Sequence, residues 1–398
     1  MEVQKKGLGY YVKEGIKRCF NLLITTWLII GSTLLLILLL ELACVCYHKI
    51  TFERRERNYF KLTDSYNQTP WIEDYYQEID ASYVTSWKSY VYWRRNPFRG
   101  KHINIDQQGI RRTTPSALSD AAALIKLRIF MFGGSTMWGE GVRDRYTLPS
   151  LVVQELDAHK IKAEITNFGE VAYVTTQELI DLIIQLERGN IPDIVVFYDG
   201  WNDVYSAQLN KAAGLPQNER NRALEFNLTK SYPNLRKVFL EKSLDQFCLG
   251  KTLKSLAPKR PKGPLQDFAA LANDLVKIYL SNLKIITALG KAYGFTPVFY
   301  WQPVIYNKKN LTEFEKKYRE ARLGELYEQT NALISKDRSK FADYHFYNLV
   351  DLFSETKGPV YIDYCHVNEE ANRPIASRIA QDLVPLIRER HLAGPGKK

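Results

Sequence analysis

From Leu127 onward, short apolar runs alternate with segments of helical period, and this alternation restricts the possible fold more than any other feature of the 398-residue chain. The runs LRIFMF, AEITNF, DIVVFY, TPVFYW and HFYNLV read as strands. Between or after them lie TLPSLVVQELDAHK, TTQELIDLIIQLERG, FAALANDLVKIYLSNLKIITALGKAYG, EFEKKYREARLGELYEQTNALI and EEANRPIASRIAQDLVPLIRER, whose apolar residues recur near helical spacing. Continuously apolar strands separated by helices imply a parallel sheet covered on both faces. Such sheets bind their ligands at the carboxyl ends of the strands.

Polar residues gather at those ends. After the first strand comes GGST with Ser135, and after the second comes NFGE with Gly169. The third is followed by GWND, with Gly200, Asn202 and Asp203, and the chain beyond the fifth carries DYCH, with Asp363 and His366. A serine hydroxyl attacks an ester only when a base removes its proton, and an imidazole titrating near neutrality suits that task. Asp363 is of the right type to orient His366 and stabilise its charged form. The oxyanion formed on attack needs preplaced donors, which Ser135 N–H, Gly169 N–H and the Asn202 amide can supply. Two rival motifs fail on spacing. Met137 stands where a G-x-S-x-G elbow needs its second glycine, and Asp245 stands where a phosphate loop ending in GKT needs its first.

The ordered set Ser135, Gly169, Asn202 and His366, with G-x-N-D as Gly200 to Asp203 and D-x-x-H as Asp363 to His366, resembles the SGNH hydrolase superfamily, the GDSL-type esterases. The resemblance runs from about Leu127 to the C-terminus. It implies a flavodoxin-like three-layer α/β/α fold with a five-stranded parallel sheet and an acyl-serine mechanism. One departure from the family pattern is Gly134, which stands where Asp often precedes the nucleophile.

Upstream, NLLITTWLIIGSTLLLILLLELAC, Asn21 to Cys44, exceeds the roughly 20 apolar residues that cross a bilayer and carries charge only at Glu41. It reads as an uncleaved N-terminal transmembrane helix, longer than a signal-peptide core. Basic residues flank it on both sides, so the positive-inside rule is nearly silent. A large domain after a single anchor favours an extracytoplasmic body. The expected division is a basic cytoplasmic tail over residues 1–20, an anchor over 21–47, an aromatic-rich stem over 48–125 that packs on the main domain, and the hydrolase domain over 126–398.

A basic insert at 205–264 interrupts that domain, with twelve basic residues between Lys211 and Lys262 against four acidic ones, within an overall charge of +11. A solvated face accounts for such a run, and anionic headgroups or an acidic glycan are its alternative partners. No nucleic-acid motif accompanies the charge. Cys19, Cys44 and Cys46 lie in or beside the anchor, leaving Cys248 and Cys365 as the pair considered for a bridge. Neither CxxC nor HExxH occurs, so no metal or other cofactor is expected.

The expected activity is removal of O-acyl, above all O-acetyl, groups from cell-surface carbohydrate by a single-pass membrane protein. The alternatives are carbohydrate O-acetyl transfer, a lipid esterase or thioesterase, and a catalytically silent glycan-binding or scaffolding protein. Trp138, Trp201 and Trp301 follow strand ends and are expected either to wall a substrate cleft or to pack in the core.

Overall fold

The computed structural model describes residues 8–61, 64–66, 69–228, 235–236, 238–240, 243, 246–256, 267–319 and 321–393. The chain divides into two compact units, Met1–Tyr59 with Leu224–Gly263 and Phe60–Ala223 with Pro264–Lys398.

In the first unit a single helix, α1 (Leu8–Lys61), contains the span Val12–Ile50, with mean hydropathy 2.6 and no buried share in its most apolar window. It is long and apolar enough to cross a membrane. Glu41, the lone charge near the end of the apolar run, accepts hydrogen bonds from the backbone N–H of Cys248 at 2.5 Å and Leu249 at 2.8 Å. Those amides open a short helix of the insert, Cys248–Leu256, whose first N–H groups have no partner within the helix. The insert therefore explains why a carboxylate is tolerated there. Of its twelve basic residues, Lys230, Lys237, Lys242, Lys259, Arg260 and Lys262 lie outside the described residues. Cys248 meets Cys44, not Cys365, which is buried in the other unit. Charge and spacing could not reveal that pairing, because it depends on where the insert folds back.

The second unit is built on a five-stranded parallel sheet. After α2 (Ile72–Ser82), the stem forms the hairpin β1 (Thr85–Lys88) and β2 (Tyr92–Arg95), then the short pair β3 (Phe98–Arg99) and β4 (Asn104–Ile105). The sheet follows as β5 (Ile125–Gly133), β6 (Ile161–Asn167), β7 (Ile194–Asp199), β8 (Thr296–Trp301) and β9 (Phe346–Asn348), in spatial order β6-β5-β7-β8-β9. Every residue of the central strand β7 is buried, whereas the edge strand β6 alternates between buried and partly exposed residues. That contrast follows from covering the sheet's centre on both faces while leaving an edge half open.

The connecting helices are α3 (Ser135–Trp138), α4 (Leu148–Ala158), α5 (Thr175–Glu187), α6 (Trp201–Asn210), α7 (Glu219–Leu228), α8 (Cys248–Leu256), α9 (Phe268–Tyr293), α10 (Glu313–Lys316), α11 (Ala321–Lys336) and α12 (Glu369–Ala393). Helices α4 and α12 pack together, while α9 packs against α5, α6 and α11. This is the doubly wound three-layer sandwich expected from the alternation of runs. The segment read as one helix from Glu313 is split: Thr312 caps α10 through a reciprocal pair with Glu315, and α11 starts afresh at Ala321.

Candidate active site

Ser135 is the first residue of α3, directly beyond β5, and Asp363 and His366 share the loop that leads into α12. The loop folds on the carboxylate itself. Asp363 Oδ1 accepts the backbone N–H groups of Cys365 and His366, each at 2.8 Å, so a D-x-x-H spacing closes into a tight turn. The other oxygen, Oδ2, lies 2.6 Å from His366 Nδ1, and His366 Nε2 lies 2.6 Å from Ser135 Oγ. With Nδ1 held as donor to the carboxylate, Nε2 is left as acceptor for the serine hydroxyl.

Burial works against the His366 imidazolium, but the Asp363 carboxylate and the Cys365 thiol outweigh it and hold the pKa well above the ordinary histidine value. Burial likewise opposes the Asp363 charge, yet the imidazole and the two amides bring its pKa below the usual carboxylate range. Cys365 is a buried thiol pushed up to about 12 by desolvation, so it is protonated and unreactive near neutrality.

Two glycines let the surrounding loops close on the serine turn. A Cβ on Gly134 would stand 2.0 Å from Asn202 Nδ2, so the residue before Ser135 is glycine because the Asn202 amide occupies that space. A Cβ on Gly169 would meet the backbone N of Trp138 at 2.4 Å. Asn202 Nδ2 also donates to Tyr173 O at 2.9 Å, which uses one of its two hydrogens. The Gly169 N–H, expected as an oxyanion donor, donates instead to Asn167 Oδ1 at 3.0 Å. Asn167 Nδ2 in turn reaches Met137 O and Trp138 O at 3.2 and 3.3 Å, which ties this loop to the end of α3. The sequence signal for that role is an asparagine two residues before Gly169, near the end of the second apolar run.

The three tryptophans are core residues rather than cleft walls. Trp138 and Trp301 are 0% exposed and Trp201 is 3% exposed. Trp201 stacks among Tyr205, Tyr306 and Tyr364, and Trp301 packs on Tyr279 and Tyr327. Positions just past a strand end still lie beneath the loops that cap the sheet, and these large rings fill that space.

Trp138 ends the helix that Ser135 begins, and two buried guanidiniums from the stem lie against its ring, Arg95 at 3.7 Å and Arg111 at 4.2 Å from the centroid. Arg111 donates to Trp138 O at 3.3 Å and Val142 O at 2.7 Å, and pairs with Asp144 at 3.0 Å. The Arg95 backbone N–H donates to Glu170 Oε2 at 2.9 Å, and Arg94 bonds Phe168 O at 3.2 Å and the Asp181 carboxylate. The stem is thus part of the frame that holds Ser135 and the Gly169 loop. The aromatic content of this stretch points to packing or to a sugar-stacking surface and says nothing of its arginines, whose burial depends on distant partners.

Behind Asn202, the carboxyls of Glu178, Asp199 and Asp203 are buried together. Asp203 accepts Thr175 N–H at 3.1 Å and Thr175 Oγ1–H at 2.9 Å, yet burial raises it to about 6. Burial raises Glu178 and Asp199 well above the ordinary carboxylate range, with the charge of Asp199 adding to it at Glu178 and that of Asp203 at Asp199.

No family model and no curated protein sequence matches the chain. Solved structures similar to it include an acetyl xylan esterase, 14% identical with TM-score 0.35, covering 65% of this chain and 100% of that one. A carbohydrate acetylesterase family member from Sinorhizobium meliloti is 15% identical with TM-score 0.34, covering 66% and 98%. A member of the lipolytic protein G-D-S-L family from Veillonella parvula is 13% identical with TM-score 0.33, covering 66% and 98%.

Proposed function

We propose that the protein is a membrane-anchored serine esterase of the SGNH type that removes short acyl groups, above all O-acetyl, from cell-surface carbohydrate. The observation that carries the reading is the relay in which His366 Nε2 lies 2.6 Å from Ser135 Oγ while Nδ1 lies 2.6 Å from Asp363. Ser135 Oγ attacks the ester carbonyl as His366 takes its proton, and Asp363 stabilises the imidazolium. The oxyanion is held by Ser135 N–H and the second hydrogen of the Asn202 amide, with Gly169 contributing close approach. Collapse expels the sugar hydroxyl with the proton from His366, and water then releases the acyl group by the same steps in reverse.

Two features support a short acyl group on a carbohydrate. Ser135 is 5% and His366 7% exposed, which leaves little room for a long chain at the reacting centre. The stem hairpin presents Trp87 and Tyr90, 68% and 75% exposed, as rings on which a sugar face can stack. In this reading α1 is the single-pass anchor and the catalytic unit is extracytoplasmic.

The test is a panel of acetylated oligosaccharides and p-nitrophenyl esters of graded chain length, with fluorophosphonate labelling of wild type and Ser135→Ala. Acetate release and Ser135-dependent labelling are expected, with rates falling as the acyl chain lengthens. A folded wild-type protein that neither labels nor turns over any ester would leave only the glycan-binding alternative. Preference for long-chain esters would move the substrate to lipid.

A further inference from the structure

Within the first unit, α8 docks on α1 through three contacts on one face of that helix. Glu41, Cys44 and His48 recur at spacings of three and four residues, so they line one side of α1. Glu41 receives the first amides of α8, Cys44 Sγ lies 2.8 Å from Cys248 Sγ, and His48 Nε2 lies 3.2 Å from Thr252 Oγ1. Thr252 Oγ1 also stands 3.4 Å from Cys44 Sγ. The two sulfurs are therefore brought together by a dock that includes a charged cap and polar contacts on either side, although their residues are 204 positions apart.

We infer that Cys44 and Cys248 form a disulfide in the mature protein, fastening the basic insert to the outward end of the membrane helix. The inference rests on the reading that the body faces outward, where such bonds persist. The oxidant is the disulfide of a thiol–disulfide carrier protein. One cysteine of the pair, as thiolate, attacks a carrier sulfur and releases the carrier's other sulfur as a thiolate, which leaves a mixed disulfide. The second cysteine, as thiolate, then attacks its partner's sulfur and expels the carrier as a dithiol. Two electrons pass to the carrier, and the two thiol protons leave with them. Cys19 and Cys46 are exposed and Cys365 is buried beside His366, so the described cysteines offer no competing pair at this distance.

The same three side chains, Cys44, His48 and Cys248, lie close enough to share a metal ion, and the experiment separates that outcome. Full-length protein is extracted from membranes into denaturant with a maleimide mass tag present. The chain has five cysteines, so three tags are expected before reduction and five after. Cys44→Ser frees its partner and is expected to give four tags without reduction, and peptide mapping is expected to recover a reducible Cys44–Cys248 cross-link. Five tags on unreduced wild type would overturn the inference, whether the thiols are free or were holding a metal that the denaturant released. Incubating the purified, native protein with oxidised glutathione then locates the fault. Loss of two tags with a mapped Cys44–Cys248 cross-link and no added glutathione mass on either residue would convict the outward-facing reading, and absence of that cross-link would convict the contact itself.

Discussion

The sheet and the stem hold the same residue, Ser135, by opposite means. Beneath Ser135, β5 runs between β6 and β7 with Ile129, Phe130, Met131 and Phe132 at most 1% exposed, and Phe132 stacks on Phe168 and Phe197. Beside it, the stem supplies Arg94, Arg95 and Arg111, all buried: Arg94 and Arg111 bond carboxylates and carbonyls, while the Arg95 guanidinium lies over the Trp138 ring with Glu140 at 3.7 Å and Glu170 at 3.8 Å, its Nε and Nη2 without a hydrogen-bond partner among the described residues. Apolar burial stabilises by roughly 25 cal/mol per Å² and tolerates exchange of one apolar group for another. A buried ion pair does not, since removing one member leaves a charge without a partner. The comparison teaches that this site has a forgiving floor and an unforgiving side wall.

Substitutions test that division, beginning at the end of the sheet. Ser135→Ala is expected to lower kcat about 10⁶-fold while leaving the unfolding midpoint within error, measured by p-nitrophenyl acetate hydrolysis and circular dichroism. Substantial residual turnover would remove Ser135 from the chemistry. Gly134→Ala is expected to displace the Asn202 amide and lower kcat by about 10²–10³-fold, as Asn202→Ala should. If Gly134→Ala keeps full activity, the tight contact at 2.0 Å relaxes without consequence and the Asn202 donor role loses its support.

Stem variants should behave in the reverse order, with stability falling first. Arg94→Ala leaves the Asp181 carboxylate buried without its cation, and is expected to destabilise by about 3–5 kcal/mol in denaturant unfolding. A loss below 1 kcal/mol would show that the side wall is as tolerant as the floor.

Two smaller effects concern pH. Because His366 must be neutral to accept a proton and its pKa is raised, kcat/KM is expected to climb with pH along a limb whose midpoint lies above 6.5. A limb centred below 6.5 would contradict the coupling to Asp363. For Asp203 the sign is the reverse of an ordinary surface carboxylate. Its folded pKa, about 6, exceeds its unfolded value of 3.8, so the native state binds more protons between them, and stability falls as pH rises through that window. Asp203→Asn is expected to flatten that slope relative to wild type, and an unchanged slope would show that Asp203 does not titrate there.

Much of this was legible in the chain. The five apolar runs became the five parallel strands, because a strand buried on both faces must be apolar throughout. Ser135, Asp363 and His366 were legible because the strand-end rule and the three-residue spacing of D-x-x-H place them locally. The role of the stem's arginines was not legible, since they become core residues only through partners 74 to 87 positions away. The same limit explains the tryptophans, where only packing could choose between a cleft wall and a core, and the cysteines, where only a fold-back could join Cys44 to Cys248.

By itself, the sequence determined the layered α/β architecture, the apolar helix at the start and the order of the candidate catalytic residues, because each is written in local periodicity or short spacing. Tertiary structure alone decided that Asn202 requires a glycine before the serine and that stem guanidiniums lie against Trp138. Those outcomes depend on which distant groups meet in the buried interior, where hydrogen bonds and charges are stronger than in water.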